Sequence, residues 1–107
     1  MYARHVSIVL RAGSHAEVVR KVEAEILPLL REQKGFVDQI SFIDPAGKDA
    51  IVVSLWDSRE SAEAYSRRIF PEVYGILAEL IEGRPRVQCY EVANSTFHKI
   101  AAKREAA

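Results

Sequence analysis

Residues 50–65 read AIVVSLWDSRESAEAY and contain the change of pattern that decides the fold. The apolar, partly β-branched run from Ala50 to Trp56 predicts a strand. Asp57-Ser58-Arg59-Glu60 follows directly with the residues of a capping box, in which a hydroxyl accepts a hydrogen bond from the helix backbone and an acidic side chain reaches back. Ala62 and Tyr65 continue at helical spacing. A strand is therefore expected to lead straight into a helix that begins at Ser58.

The preceding residues predict a hairpin and, further upstream, another strand. Phe36 to Ile43 form the strand before Ala50, and the residues between them, Asp44 to Lys48, carry the proline and glycine of a tight turn. Arg4 to Leu10 alternate between two faces and make the first strand. Three strands are thus expected before the capping box at Ser58.

A helix connects the first strand to the hairpin. Ser14 to Glu17 has the form of a capping box, and Gly35 is expected to end the helix. The apolar stripe of this helix consists of Val18, Val22, Ile26, Leu29 and Leu30. Pro28 lies inside it, and because an interior proline removes a backbone hydrogen bond at a cost of about 3 kcal/mol, we expect a bend there.

The residues after Tyr65 predict a divided helical region and a last strand. Pro71 suits the first turn of a new helix, so the second helical region is expected to be split at Pro71. The apolar positions of this further helix are Val73, Leu77, Leu80 and Ile81. Gly83 is expected to end it, and Val87 to Thr96 alternates loosely as the fourth strand.

The resulting order of elements is β-α-β-β-α-β. This order predicts an α+β, ferredoxin-like fold, with a four-stranded antiparallel sheet and both helical regions on one face. A length of 107 residues suits one domain. We expect residues 3–96 to form it and residues 97–107 to be a C-terminal tail that is either partly disordered or wraps around a partner.

Charge and cysteine content narrow the classes of function. The chain has 15 basic and 15 acidic residues, so no long-range field attracts nucleic acid or an anionic membrane. No apolar run approaches the roughly 20 residues that cross a bilayer. Cys89 is the single cysteine and the first residues lack a signal peptide's apolar segment, so a reducing, cytoplasmic location is expected. His15 and His98 have no partners at metal-ligand spacing, and we expect no metal site.

Apolar residues of the strands point to both faces of the predicted sheet. The face toward the helices is expected to hold Val6, Ile8, Leu10, Ile51, Val53 and Leu55. The reverse face is expected to hold Val9, Val37, Ile43, Val52 and Trp56. Helices cover only one side of such a sheet, and a contiguous exposed apolar patch usually marks an interface. The pattern therefore predicts a homodimer in which a second copy covers the reverse face.

Polar side chains are mixed with the apolar groups of the reverse face and define a candidate pocket. They are His5, Ser7, Gln39, Ser41, Ser54 and, depending on the register of the last strand, Cys89 or Glu91. An apolar pocket with a few polar groups is typical of small-molecule sites. The alternative is that these groups bond one another or water within a dimer interface. A register error of one residue would exchange the two faces.

Two stretches resemble the antibiotic biosynthesis monooxygenase family of dimeric α/β barrels. They are Gly35-Phe36-Val37-Asp38-Gln39 and, after the hairpin, Val53 to Tyr65, where a strand ends in tryptophan before an acidic capping turn and an alanine-rich helix. The resemblance implies a homodimer of two facing sheets, with a cavity between the sheet and helices of each subunit. Some members oxidise aromatic polyketides with dioxygen and no bound cofactor, whereas others degrade haem. Fold alone does not choose among these activities.

The resemblance transfers residue by residue only in part. Trp56 matches the family's tryptophan, whereas Tyr65 stands where members often carry histidine. Because a phenol is a different ligand for iron, the haem-degrading activity is not carried over. The first strand also lacks an obvious asparagine, with His5 and Ser7 at the expected inward positions.

The candidate roles describe a cofactor-free oxidation of a small aromatic or enolisable molecule. His5 is the candidate base, because its free pKa lies near neutrality, and Tyr65 and Tyr74 are candidate phenolic donors. Trp56 is expected to form an aromatic wall beside Ser54. The alternatives are a solvent-facing His5 and aromatic residues that only fill the core. The whole protein would then be a non-catalytic ligand-binding or purely structural homodimer.

Overall fold

The computed structural model describes residues 1–100, in which four antiparallel strands form one sheet. The strands are β1 (Tyr2–Leu10), β2 (Phe36–Ile43), β3 (Asp49–Trp56) and β4 (Ile81–Glu91). Their order across the sheet is β2-β3-β1-β4, and every neighbouring pair is antiparallel. This is the ferredoxin-like arrangement that the order of elements predicts. Residues 101–107 of the expected C-terminal tail lie outside the described part of the chain.

The first helical region contains a π-helical turn just before its proline. It consists of α1 (His15–Lys21), a π-helical segment (Val22–Ile26) and α2 (Leu27–Arg31). The Leu27 N–H donates to the carbonyl of Val22, five residues back. Pro28 thereby lies in the first turn of α2, where the N–H that proline lacks would have no helical partner in any case. The interior-proline cost expected from the sequence is avoided in this way.

The two predicted capping boxes have different outcomes. Ser58 caps α3 (Arg59–Arg68), its hydroxyl accepting from the Ser61 N–H at 3.2 Å, as predicted. Ser14 makes no such bond, and the prediction of a capping box there is wrong. Its buried hydroxyl instead donates toward two carbonyls, that of Arg11 at 2.7 Å and that of Leu80 at 2.8 Å.

The second helical region is split at Pro71, as predicted, but the last strand begins earlier than expected. Pro71 lies in the first turn of α4 (Phe70–Leu77), and a 3₁₀ turn (Ala78–Leu80) leads directly into β4. Gly83 does not end a helix. It lies inside β4 with φ +68, beside the point where the register with β1 shifts between Ser7 and Val9. Glycine tolerates this left-handed conformation, which is typical of a bulge.

The core lies between the helices and one face of the sheet. Its buried apolar residues are Val6, Ile8, Leu10, Val18, Val22, Ile26, Leu30, Ala50, Trp56, Ala62, Tyr65, Val73, Leu77 and Ile81. The strand β3 contributes Ala50, Ser54 and Trp56 to this face, at 3%, 4% and 0% exposure. The sequence assignment of Ile51, Val53 and Leu55 to it is wrong, because Val52 and not Val53 pairs with the inward-facing Val6.

The face away from the helices, called here the open face, is rich in apolar groups. The register places Ala3, Val9, Ile40, Phe42, Ile51, Val53, Leu55 and Tyr90 on it. Val9, Ile40, Phe42 and Tyr90 are 46%, 50%, 52% and 51% exposed. The sequence places Val9 on this face correctly. Its assignment of Ile43, Val52 and Trp56 to the same face is wrong, because these residues are in register with the helix side. A second apolar face therefore exists, with different members from those expected.

The described part of the tail returns toward β2. The Val92 N–H donates to the carbonyl of Met1 at 2.9 Å, and the His98 Nε2 lies 2.7 Å from a carboxylate oxygen of Asp38. Within residues 1–100, no helix has both the length and the apolar character needed to span a membrane.

Candidate functional site

A row of polar residues crosses the sheet on its helix side. Gln39 of β2 pairs with Ser54 of β3, Ser54 pairs with Arg4 of β1, and Arg4 pairs with Cys89 of β4. Because neighbouring strands lie about 4.8 Å apart, each of these four side chains is next to the following one across the sheet. The row brings polar groups into a layer that is otherwise apolar.

Arg4 is the charged member of this row and is almost fully buried. The residue is only 3% exposed, and its Nε–H donates to the Ser66 hydroxyl at 2.7 Å. The guanidinium carbon lies 4.0 Å from the ring centre of Phe70 and 5.2 Å from that of Tyr65, within cation–π range. Desolvation lowers the pKa of Arg4 from its ordinary value. Within residues 1–100, no carboxylate forms a salt bridge with it.

Tyr65 on α3 lies beside Arg4 and against the end of β3. It is 4% exposed, and burial raises the pKa of its hydroxyl to about 12, partly opposed by the charge of Arg4. Its ring centre is 4.9 Å from that of Trp56, whose indole N–H donates to the Ser54 hydroxyl at 2.9 Å. Tyr65 is therefore a neutral phenol at physiological pH, able to donate a hydrogen bond but unable to serve as a base.

These polar groups surround a cavity between the sheet and the helices. The cavity volume is about 40 Å³, far below the roughly 300 Å³ at which ligand pockets begin. Its walls are mainly apolar, and its polar or titratable lining residues are Arg4, Ser54, Tyr65 and Tyr74. No histidine or carboxylate side chain of the described residues lines it. The cavity thus offers one cation, two phenols and a hydroxyl among apolar side chains.

A larger groove lies next to this cavity, between the first helical region and the strands β2 and β3. Its volume is about 280 Å³, and its polar lining residues are Glu23, Gln39 and Ser41. The Gln39 amide donates to the Ser41 hydroxyl. Ile8, Val22 and Val52 line both spaces. Only these three apolar side chains are common to the groove and the cavity, and Val22 belongs to the π-helical segment, a kind of turn frequent at functional sites.

The predicted site residues fall into three groups. Ser54, Tyr65 and Tyr74 line the cavity, and Trp56 lies behind it in contact with Ser54 and Tyr65. Gln39 and Ser41 line the groove.

His5 and Ser7 form the third group and belong to the open face. His5 pairs with Val53 rather than with Ser54, and its ring lies edge-on to that of Tyr90 at 6.4 Å. A single pocket that joins His5 to Ser54, Trp56 and Tyr65 is therefore not formed within one chain. The reason is the alternation of side chains, which sends His5 to one side of β1 and Arg4 to the other.

Arg4 is the functional candidate that sequence reasoning missed. A signal for it was present, because Arg4 is in phase with Val6, Ile8 and Leu10 on the buried side of β1. A cation on an apolar stripe is costly to bury and invites a functional explanation. Within residues 1–100, no group of three or more His, Cys, Asp or Glu side chains is arranged to hold a metal ion.

Comparison with known proteins finds similarity in structure but not in sequence. No family model matches the chain, and no curated protein matches it.

Many solved structures share the fold. A protein from Bordetella bronchiseptica, provisionally described as an antibiotic biosynthesis monooxygenase, superposes with a TM-score of 0.72 and 17% identity over 85% of this chain and 95% of its own. A Streptomyces coelicolor monooxygenase in complex with the ligand nanaomycin D gives a TM-score of 0.75 and 14% identity, with 88% of each chain covered. A Nitrosomonas europaea protein of unknown function gives 0.70 and 19%, over 99% of this chain and 95% of its own. The chain has the fold of the antibiotic biosynthesis monooxygenases.

Proposed function

We propose that this protein is a member of the antibiotic biosynthesis monooxygenase family and oxidises a small aromatic or enolisable molecule with dioxygen and no bound cofactor. The observation that carries the proposal is the mainly apolar cavity on the helix side of the sheet, which Tyr65, Tyr74 and Ser54 line together. Support comes from the shared fold with a monooxygenase that was solved with the ligand nanaomycin D.

The substrate would lie in the groove and reach into the cavity. A groove of about 280 Å³ is close to the lower end of ligand pockets, which begin near 300 Å³, whereas the cavity alone is too small for an aromatic ring system. Rotamer changes of Ile8, Val22 and Val52 would join the two spaces. Gln39 and Ser41 would then contact the outer part of the molecule, and Trp56 would support Tyr65 from behind.

The chemistry needs an ionised substrate, dioxygen and a site without water. The substrate anion gives one electron to dioxygen, and the two radicals combine to form a carbon–oxygen bond. The peroxide takes up a proton and loses water, together with the hydrogen of the attacked carbon, to leave a carbonyl group. One oxygen atom enters the product and the other leaves as water. Tyr65, protonated because its pKa is raised to about 12, would donate a hydrogen bond to the developing oxygen anion.

A second copy of the chain is the proposed cover for the open face. Apolar area left in water forgoes about 25 cal/mol per Å², and Ile40 and Phe42 leave about half of their surface exposed. With equal numbers of acidic and basic residues, the chain has no net charge to oppose self-association. His5 and Ser7 would then face the partner subunit.

We also propose that residues 3–96 form one domain, and that the protein acts in a reducing compartment such as the cytoplasm, where a single cysteine is usual.

A structural homodimer is the rival function, and the small volume of the cavity favours it. Oxygen uptake with a panel of hydroxylated naphthalenes separates the two. We expect uptake by the wild type and at least a tenfold slower rate for Tyr65→Phe, because one oxyanion donor is worth about 10²-fold or more. Tyr90→Phe removes the same hydroxyl from the open face and should keep the wild-type rate. Equal rates for Tyr65→Phe and the wild type would reject the role of Tyr65, and no uptake with any member would favour the rival.

A further inference from the structure

We propose that Arg4 selects the substrate of this site, and that the site takes flat apolar molecules carrying an ionised oxygen, a carboxylate or an enolate. The inference rests on the proposed binding site but not on turnover. It assigns a ligand class to the cavity and a specificity role to a residue that packs at its wall.

The charge balance around Arg4 favours an anionic ligand. A guanidinium remains protonated even when desolvation lowers its pKa, and burial of a charge without a counter-ion is unfavourable. The described residues supply aromatic rings and one hydroxyl but no carboxylate partner. An anionic ligand would complete this pair, which a neutral ligand of the same shape cannot do.

The orientation of the guanidinium also favours an anionic ligand. Ser66 holds the Nε and Phe70 lies 4.0 Å from the guanidinium carbon, so the group is fixed by two contacts. A guanidinium has five N–H donors in a rigid fork. The bond to Ser66 is the one side-chain hydrogen bond that Arg4 makes within residues 1–100. Its terminal N–H groups are thus available for a bidentate bond to a carboxylate or a shared bond to an enolate oxygen.

Among the described residues, the lining of the cavity contains no base. The titratable side chains that line the cavity are Arg4, Tyr65 and Tyr74. Tyr65 holds its proton, and His5 points to the opposite face of the sheet. A site with a cation and donors but no base favours molecules that arrive ionised, or that lose a proton because the cation stabilises their anion.

Three naphthalene probes of similar shape test the ligand class. They are 2-naphthoate, which carries a carboxylate, 4-nitro-1-naphthol, whose anion is visible by absorbance, and the neutral 2-naphthamide. By titration calorimetry we expect at least one anion to bind the wild type about 10-fold to 100-fold more tightly than the amide, the range of a charge-assisted hydrogen bond. The probe that gains shows whether the site prefers a carboxylate or an enolate-like oxygen.

Two variants of Arg4 assign the preference to this residue. Arg4→Met, which keeps the length and removes the charge, should bring the anions to the affinity of the amide, while Arg4→Lys should keep part of the preference. Arg59→Met, at an exposed position of α3, is the control and should bind like the wild type. Thermal unfolding should show Arg4→Met as stable as the wild type or more so, because an unpaired buried charge is removed.

Three results would overturn the proposal. They are an unchanged anion preference in Arg4→Met, equal binding of all three probes to the wild type, and no binding of any probe. If Arg4→Met does not fold, a wild-type anion preference in a folded Arg4→Lys would do the same, because the guanidinium fork would be gone. Anion binding without oxygen uptake would reject the monooxygenase function alone, whereas uptake unaffected by Arg4→Met would reject the role of Arg4 alone.

Discussion

Arg4 and Tyr65 show how one position in a strand changes the chemistry of a core. The side chain of Arg4 enters a layer made by Val6, Ile8 and Leu10, and the aromatic rings of Tyr65 and Phe70 receive it. Burial in the same layer raises the pKa of Tyr65 to about 12. The two residues therefore place a cation and a neutral donor side by side among apolar side chains.

The raised pKa of Tyr65 makes the fold sensitive to alkali. An unfolded tyrosine has a pKa near 10, below the value of about 12 in the folded chain, so the folded state holds this proton more tightly. Its stabilising contribution is complete below about pH 10 and is lost as the pH rises through about 12, by at most about 3 kcal/mol. Urea unfolding followed by Trp56 fluorescence between pH 8 and 11.5 should show this loss in the wild type and less of it in Tyr65→Phe. The exposed control Tyr90→Phe should lose stability like the wild type, and parallel curves for Tyr65→Phe and the wild type would contradict the account.

Single residues were predicted less well from the sequence than the elements that carry them. Trp56 and Tyr65 were recognised as aromatic candidates at a strand end and on a helix stripe, but Trp56 was assigned to the reverse face. Arg4 was missed because charge is normally read as exposure, and His5 was chosen for its titration range without knowledge of which face it occupies. Alternation along β1 puts Arg4 and His5 on opposite faces, and the pairing of β1 with β3 decides which side chains of β3 accompany each of them.

The turn before β2 shows why an element can depend on one glycine. Gly35 has φ +83, and a Cβ atom there would lie 2.3 Å from the Asp57 carboxylate and 2.3 Å from the Ser61 hydroxyl. The Asp57 N–H also donates to the Gly35 carbonyl at 2.8 Å. This close contact fixes the start of β2 against the end of β3 and the N-terminus of α3.

Gly35→Ala should therefore destabilise the fold more than a glycine substitution in open space. Gly13 is the matched control, because it has φ +78 but nothing within 4 Å of its Cβ position. Gly13→Ala should cost about 1–2 kcal/mol for the left-handed backbone alone, and Gly35→Ala a further 1–3 kcal/mol, roughly, for overpacking. Chemical denaturation of both variants measures the difference. Equal free energies of unfolding would show that the contact at Gly35 relaxes freely.

The elements were predictable where the sequence carries a local signal. The bounds of β2 and the split at Pro71 follow from turn residues and from proline. The faces of β3 did not follow, because Ala50 to Trp56 is apolar in both phases and only pairing with β1 decides between them. The π-helical turn before Pro28 and the bulge at Gly83 likewise depend on packing rather than on a local pattern.

At the level of the whole molecule, the sheet has two faces with different proposed tasks. The helix side holds the cavity and groove, with Arg4 and Tyr65 at the inner end. The open face carries exposed Ile40 and Phe42 and is proposed to bind a second copy. The fold class was predictable because the order of elements restricts the topology, and the need for a cover was predictable because apolar residues occur in both phases of the strands.

A charge placed on the open face should separate the two copies. Phe42→Glu introduces a carboxylate in a patch that the dimer would bury, and an unpaired buried charge is unfavourable. Ala16→Glu adds the same charge at an exposed position of α1 and serves as the control. Size-exclusion chromatography with light scattering should show a monomer only for Phe42→Glu. If both variants keep the mass of the wild type, the open face is not the interface.

Sedimentation equilibrium of the unmodified chain at micromolar concentration tests whether a second copy covers the open face of the sheet. We expect a single species with twice the chain mass of 12.0 kDa. A folded species of 12.0 kDa over the whole concentration range would contradict it.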